Sequence, residues 1–179
     1  MIVLQTERLT LRQFVPEDLE LLAPIFADPE MMRFYPEPFT RERAQRWIDW
    51  SLGLYATRGQ GLWAMLRRAD GHMLGDCGLV PQKIEGVELL EIGYHVRRDA
   101  WGLGYATEAA LACRDYALSQ LGAAQVCSIV DPENHASRRV AGRVHQRVRL
   151  FLWERNQREM CLYCSDRPVD SNGARASEE

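Results

Sequence analysis

The chain has no long apolar run. No stretch of its 179 residues approaches the ~18 consecutive apolar positions of a membrane span. The opening "MIVLQTERLTLRQF" is charged by Glu7, so no secretory signal fits there. Neither sign of charge dominates: 22 Lys and Arg against 25 Asp and Glu leave a formal charge of −3. A nucleic-acid binder working through a broad basic face is thereby excluded, and a cationic substrate is mildly favoured. The five cysteines (Cys77, Cys113, Cys127, Cys161, Cys164) are odd in number and scattered. They read as reduced, mostly buried thiols rather than a disulfide framework. Cys161 and Cys164 form a C-x-x-C, but in the apolar run "MCLYCSD", without a second cysteine pair or a histidine cluster nearby. No metal site is expected from it. These absences point to a cytoplasmic protein with neither membrane nor nucleic-acid partners.

What is present is a pattern of strands and helices filling one domain, residues 1–167. "RLTLRQF" alternates Leu9, Leu11 and Val15 against polar positions, as a half-buried strand does. Pro16 suits a first helical position, and Pro24 should limit or kink the helix that follows. Thr40 is a plausible N-cap for a helix over 41–57 carrying Trp47 and Trp50. Turns at Asp70-Gly71 and Glu85-Gly86 separate three strand-like runs, the last being "VELLEIGYHV". A helix over about 105–120, the strand "QVCSIV", a helix over 136–145 and strands over 147–153 and 158–165 complete the domain. The tail 168–179, "PVDSNGARASEE", is small and polar and is expected to be disordered. The fold class is α/β (α+β) with a largely antiparallel sheet.

Between "VELLEIGYHV" and the next helix lies "RRDAWGLGYATEAA" (97–110). Glycine destabilises a helix, so a glycine pair at a helix start calls for a reason. A strand, a glycine turn and a helix N-terminus together make an anion site, because free amides and the helix dipole point outward. Two familiar phosphate loops do not fit. No lysine follows as in a P-loop, and Thr107 stands where the dinucleotide fingerprint needs its third glycine.

"TERLTLR", "DPEMMRFYP", "LLEIGYHVRRDAWGLGYATEAA" and "DPENHASRRVA", in that order, resemble the general N-acetyltransferase (GNAT) superfamily. They are most similar to its RimJ/RimL-like branch, acetyltransferases of ribosomal-protein N-termini. The resemblance spans about residues 6–166. It implies a twisted, mixed sheet of six or seven strands, flanked by about four helices, with acetyl-CoA in a cleft where two central strands splay apart. It also implies that Trp101, Gly102, Gly104, Tyr105, Ala106 and Thr107 hold the pyrophosphate, and that Tyr94, His95 and Val96 line the coenzyme. Asn134 would contact the pantetheine arm, and Ser137 would lie near the thioester sulfur. Transfer would proceed by direct attack of an amine in a ternary complex, with the protein a monomer or homodimer.

Acetyl transfer to an amine needs a neutral nucleophile, a donor for the developing oxyanion and stabilisation of the departing thiolate. Period 2 places Glu91, Gly93 and His95 on one face of their strand and Ile92, Tyr94 and Val96 on the other. Glu91 among apolar neighbours is the candidate base, by desolvation; a structural carboxylate paired with an arginine is the plain alternative. His95 and Asp76 are further titratable candidates. In "DPENHAS", Asn134 or Ser137 is a candidate N-cap, and Ser137 is the candidate for thiolate stabilisation. No tyrosine lies between 134 and 150 to serve instead. The chain departs from the family pattern at "GRVHQRV" (142–148): His145 replaces the helix-ending glycine and Gly142 sits inside the helix. The exit into the next strand is expected to differ there. A coenzyme-binding sensor that transfers nothing is the alternative function.

Overall fold

The computed structural model describes residues 1–168; the tail expected to be disordered lies, apart from Pro168, outside the described residues. The strands are β1 (Ile2–Gln5), β2 (Leu9–Arg12), β3 (Leu62–Arg67), β4 (Met73–Ile84), β5 (Val87–Val96), β6 (Gln125–Val130), β7 (Arg147–Trp153) and β8 (Arg158–Asp166). The helices are α1 (Leu19–Phe26), α2 (Arg41–Arg58), α3 (Tyr105–Ser119) and α4 (His135–Val144). The strands form one sheet in the order β1-β2-β3-β4-β5-β6-β8-β7. Every neighbouring pair is antiparallel except β5 and β6.

The sheet therefore has eight strands, against the six or seven expected. The addition is β1, which is short, has no apolar alternation to announce it, and meets β2 through an irregular register between Ile2 and Leu4. Val15 is another correction: it is exposed, and Phe14 is buried in its place. Pro24 lies within α1, at an exposed position where the lost amide bond faces solvent. Thr40 caps α2 by accepting the Arg43 amide.

Strand alternation divides the core. Leu9, Leu11, Trp63, Met65, Ile92 and Val96 face α3, whose buried side is built from Ala109, Ala110, Cys113 and Ala117. Such small side chains let the helix axis lie close to the sheet. Leu62, Ala64 and Val80 point the other way, against α1 and α2. Cys161 and Cys164, three apart on β8, fall into different clusters on opposite faces. All five cysteines are free, and all but Cys164 are buried.

The missing glycine after α4 has a specific replacement. His145 leaves the helix with extended dihedrals (φ −107°, ψ 158°), so no left-handed residue is required. Its ring lies beneath the sheet, with Nδ1 3.1 Å from Ser165 Oγ and Nε2 3.1 Å from Ser128 Oγ. Ser128 in turn donates to the Ile92 carbonyl at 2.9 Å. A neutral ring satisfies this chain: Ser165 donates to Nδ1, and Nε2–H donates to Ser128.

Burial pushes the His145 imidazole down from 6.5 to about 4. Between those values the unfolded chain binds a proton that the fold refuses, so the stability present above pH 6.5 is lost as pH falls through 4. A shift of that size corresponds to about 3 kcal/mol. His145→Gln should be less stable than wild type near neutrality yet lose less on acidification. Urea midpoints at about pH 7 and about pH 4.5 check this; equal losses in the two proteins would show that His145 is not the group refusing the proton.

Candidate active site

β5 pairs with β4 along its whole length, from Val87 to Val96, but with β6 only at Leu90–Val126 and Glu91–Cys127. Beyond Glu91 the two strands part. The backbone groups of Ile92, Tyr94 and Val96 point into the gap, since alternate residues of a strand turn their amides and carbonyls to the same side. The Ile92 carbonyl accepts from Ser128, and the Val96 carbonyl accepts from Trp101 Nε1–H at 2.6 Å. The Tyr94 amide and carbonyl lie between these tethers. They form a short open strand edge, which matches the amides of an extended pantetheine arm.

At the end of that edge stands the glycine loop. Gly102 and Gly104 have φ of 76° and 84°, a region glycine enters freely. Gly104 is the N-cap of α3 and contributes no side-chain bond. The first intrahelical bond runs from the Glu108 amide to the Gly104 carbonyl, so the amides of Tyr105, Ala106 and Thr107 have no partner within the helix. The loop is held from behind by the turn between β1 and β2. Arg8 Nη1 donates to the Leu103 carbonyl at 2.8 Å, its Nε donates to Glu108 at 2.6 Å, and its guanidinium lies 4.6 Å from the centre of the Tyr105 ring. Glu108 also accepts from the Arg8 amide and from Thr6 Oγ1. Arg8, Arg143 and Thr107 line the depression beside Gly104 together with Glu7 and Glu108, the latter paired with Arg8. The free amides of the helix N-terminus, with Arg143 nearby, suit a diphosphate.

Across the gap, α4 begins at Asn134, whose Oδ1 accepts the Ser137 amide at 3.0 Å. Asn134 is thus the cap, and its Nδ2 is left to a ligand. Tyr94 Oη lies 2.8 Å from Ser137 Oγ and 3.1 Å from the Ser137 carbonyl, and its single proton takes the shorter contact when the Ser137 proton is turned to a ligand. α4 carries no tyrosine, but β5 brings one to the same hydroxyl. Burial pushes the Tyr94 phenol up, so it acts there as a neutral donor.

The opposite face of β5 carries Glu91, Gly93 and His95. Gln82 Nε2 donates to Glu91 at 2.7 Å. Burial raises the Glu91 carboxyl above its ordinary 4.5, while hydrogen bonds from Gln82 and the Ile129 amide pull it back. No arginine pairs with it among the described salt bridges. His95, expected to line the coenzyme, offers the gap neither backbone nor ring. Its backbone faces β4, and its Nδ1 lies 2.8 Å from Oδ1 of the fully buried Asp76. Trp47 Nε1–H donates to the other Asp76 oxygen at 2.8 Å. Tyr35 Oη lies 2.7 Å from His95 Nε2. This placement depends on an irregularity at Leu74–Gly75, after which Asp76 turns toward α2. Gly75 has φ 140°, and a Cβ there would lie 2.0 Å from the His95 carbonyl.

A family model described as "Acetyltransferase (GNAT) domain" matches residues 8–147. The chain belongs to the GNAT family. It is an acetyl-CoA-dependent acetyltransferase. It is 37% identical over 155 residues to the uncharacterized protein YkkB of Bacillus subtilis (strain 168), covering 85% of this chain and 90% of that one. It is 34% identical over 140 residues to the uncharacterized N-acetyltransferase p20 of Bacillus licheniformis, covering 75% and 76%. The structure of RimL, a ribosomal L7/L12 alpha-N-protein acetyltransferase in complex with coenzyme A, superposes with a TM-score of 0.75 over 93% of this chain and 98% of that one. At 15% identity that likeness concerns the fold. No described helix of this acetyltransferase is long and apolar enough to cross a membrane.

The structure also joins residues that the motifs did not link. Arg8 lies in "TERLTLR", but its clamp on Glu108 joins positions a hundred residues apart. Tyr35 and Asp76 meet at His95 from a loop and a neighbouring strand. Period 2 tells which face His95 takes, and nothing in the sequence tells what it meets there.

Gly104 gives the coenzyme cleft of this GNAT acetyltransferase a direct test. A Cβ at Gly104 meets only Arg8 Nη2, at 3.4 Å, so Gly104→Ala carries backbone strain of about 1–2 kcal/mol and little clash. Gly104→Asp adds a carboxylate to the same strain. Calorimetry with coenzyme A should show a modest loss for the alanine variant and at least a hundredfold loss for the aspartate. Equal affinities for the two would remove the phosphates from this loop.

Proposed function

We propose that the protein moves an acetyl group from acetyl-CoA to a primary amine, a protein N-terminus or a small amine, by direct attack in a ternary complex. The observation that supports this reading is the division of β5 beyond Glu91. Its open backbone edge leads from the glycine loop, and one face carries an unpaired carboxylate beside a glycine. Over Gly93, between Glu91 and His95, the Leu62 side chain packs so closely that an added Cβ would meet its Cδ2 at 3.3 Å, so an amine would approach Glu91 from beside Gly93 rather than over it.

On this reading, the amides of Tyr105, Ala106 and Thr107 hold the diphosphate, with Arg143 nearby. The Tyr94 backbone and Asn134 Nδ2 hold the pantetheine arm. Bound acetyl-CoA supplies an acyl carbon on a thiolate leaving group. Glu91 takes a proton from the incoming amine, directly or through water, because burial has lifted its basicity toward a useful range. The Ser137 hydroxyl, held by Tyr94, hydrogen-bonds the departing sulfur.

A thiol-release assay over a panel of amines tests the activity. On an accepted amine, Glu91→Gln should lower turnover at neutral pH by ~10²–10⁴-fold while leaving coenzyme affinity intact. The base must be ionised, and burial raises its pKa, so activity should be lost as pH falls through a value above 4.5. Full turnover in the variant would make Glu91 structural. Ser137→Ala should slow transfer with little change in melting temperature, since Asn134, not Ser137, caps α4. A lower melting point at unchanged single-turnover rate would assign Ser137 to stability alone.

A further inference from the structure

A primary amine is largely R–NH3+ near neutrality and must shed two protons to become an amide nitrogen. One leaves before the lone pair can attack, the second as the C–N bond forms. Glu91 accounts for one. The same face of β5 carries a second acceptor. Asp76 is fully buried and takes two hydrogen bonds, from Trp47 Nε1–H and from His95 Nδ1–H. With Nδ1 committed to Asp76, Nε2 of the neutral ring accepts from the Tyr35 hydroxyl at 2.7 Å.

The ring of His95 is packed by Phe26, Trp47 and Tyr35, at centroid distances of 5.2, 5.6 and 5.6 Å. Every element against it is thus accounted for: α1 by Phe26, α2 by Trp47, β4 by Asp76, the 27–40 loop by Tyr35, and its own strand by Glu91. Tyr35 is half-buried as a residue, and with its proton turned inward to His95 its oxygen lone pairs stay free to accept. Burial pushes this phenol up, and the charges of Asp76, Glu91, Arg43 and Arg155 also bear on it, so Tyr35 gives its proton to His95 only as it takes one from the amine.

We propose that the second proton goes to the Tyr35 oxygen, with Tyr35 passing its own proton to His95 Nε2 in the same step. Tyr35 is then a catalytic residue, and His95 and Asp76 are positioning residues behind it. The nitrogen lone pair forms the C–N bond, and the C–S pair leaves on sulfur. The imidazolium formed on His95 lies against the Asp76 carboxylate and returns its proton through Tyr35 to solvent. The thiolate takes up one proton. Overall, R–NH3+ and the thioester give the amide, the thiol and one released proton. The proposal rests on the amine-acetylating reading above.

The test is the rate with one accepted amine from about pH 6.5 to about pH 10 for wild type, Glu91→Gln, Tyr35→Phe and Asp76→Asn. As pH approaches the pKa of the amine, the first proton leaves without help, so the deficit of Glu91→Gln should shrink. The deficits of Tyr35→Phe and Asp76→Asn, about a hundredfold in kcat, should persist across the range with KM for acetyl-CoA unchanged. Asp76→Asn keeps an oxygen for Trp47 Nε1–H but presents an NH2 to His95 Nδ1, which puts the ring proton on Nε2 and closes the acceptor that Tyr35 needs, so it reads the relay even if Tyr35→Phe loosens its loop. Full rate in Tyr35→Phe, or a deficit in both relay variants that fades with pH as that of Glu91→Gln does, overturns the relay and leaves the acetyltransferase reading standing. A wild type that transfers to no amine of the panel would overturn both.

Discussion

β5 loses β6 as a partner after Glu91, and both halves of the site depend on that parting. An interrupted ladder leaves backbone groups unpaired, and each such buried group costs about 1–3 kcal/mol unless something bonds to it. The fold meets part of this internally. Ser128 bonds the Ile92 carbonyl where the strands separate, and Trp101 bonds the Val96 carbonyl at the far end. Only the stretch around Tyr94 is left open. A coenzyme arm laid along it would complete the ladder, so the gap is stable enough to persist and unsatisfied enough to bind.

His145 belongs to the same arrangement. A glycine at the end of α4 would let the chain turn through left-handed dihedrals but would reach nothing. The histidine turns through extended dihedrals and sends its ring to Ser128, the residue that bridges the gap. The departure from the family pattern therefore ties α4, which carries Asn134 and Ser137, to the point where β5 and β6 part. It replaces backbone freedom with a buried hydrogen-bonded link.

The alternation of "ELLEIGYHV" made the two faces of β5 legible, and the capping chemistry of "DPENHAS" and the glycines of "WGLGYA" made both flanking helix starts legible. These features are local: a period, a cap, a left-handed turn. β1 escaped notice because four edge residues carry too little alternation to announce a strand. Arg8 with Glu108, and Tyr35 with His95 and Asp76, escaped for a different reason. Each constellation joins separate elements, and the last also requires the irregularity at Gly75 that rotates Asp76 toward α2. Sequence spacing holds no record of such contacts until the register of β3, β4 and β5 is known.

The partners of the buried Asp76 and the half-buried Glu91 bear on what can enter. Asp76 is hydrogen-bonded by an indole and an imidazole, and Glu91 by a carboxamide. Neither partner set contains a guanidinium or an ammonium, whereas the carboxylate of Asp18 is neutralised by Arg12. Dipolar partners satisfy lone pairs without an ion pair; Arg43 and Arg155 bear on the site but bond neither carboxylate among the described hydrogen bonds, so the field close to the carboxylates favours a cation. The desolvation that strengthens the field also makes a carboxylate more basic. On the proposed reading, an amine is drawn in as its ammonium by the same burial that then removes its proton, so attraction and activation have one physical cause.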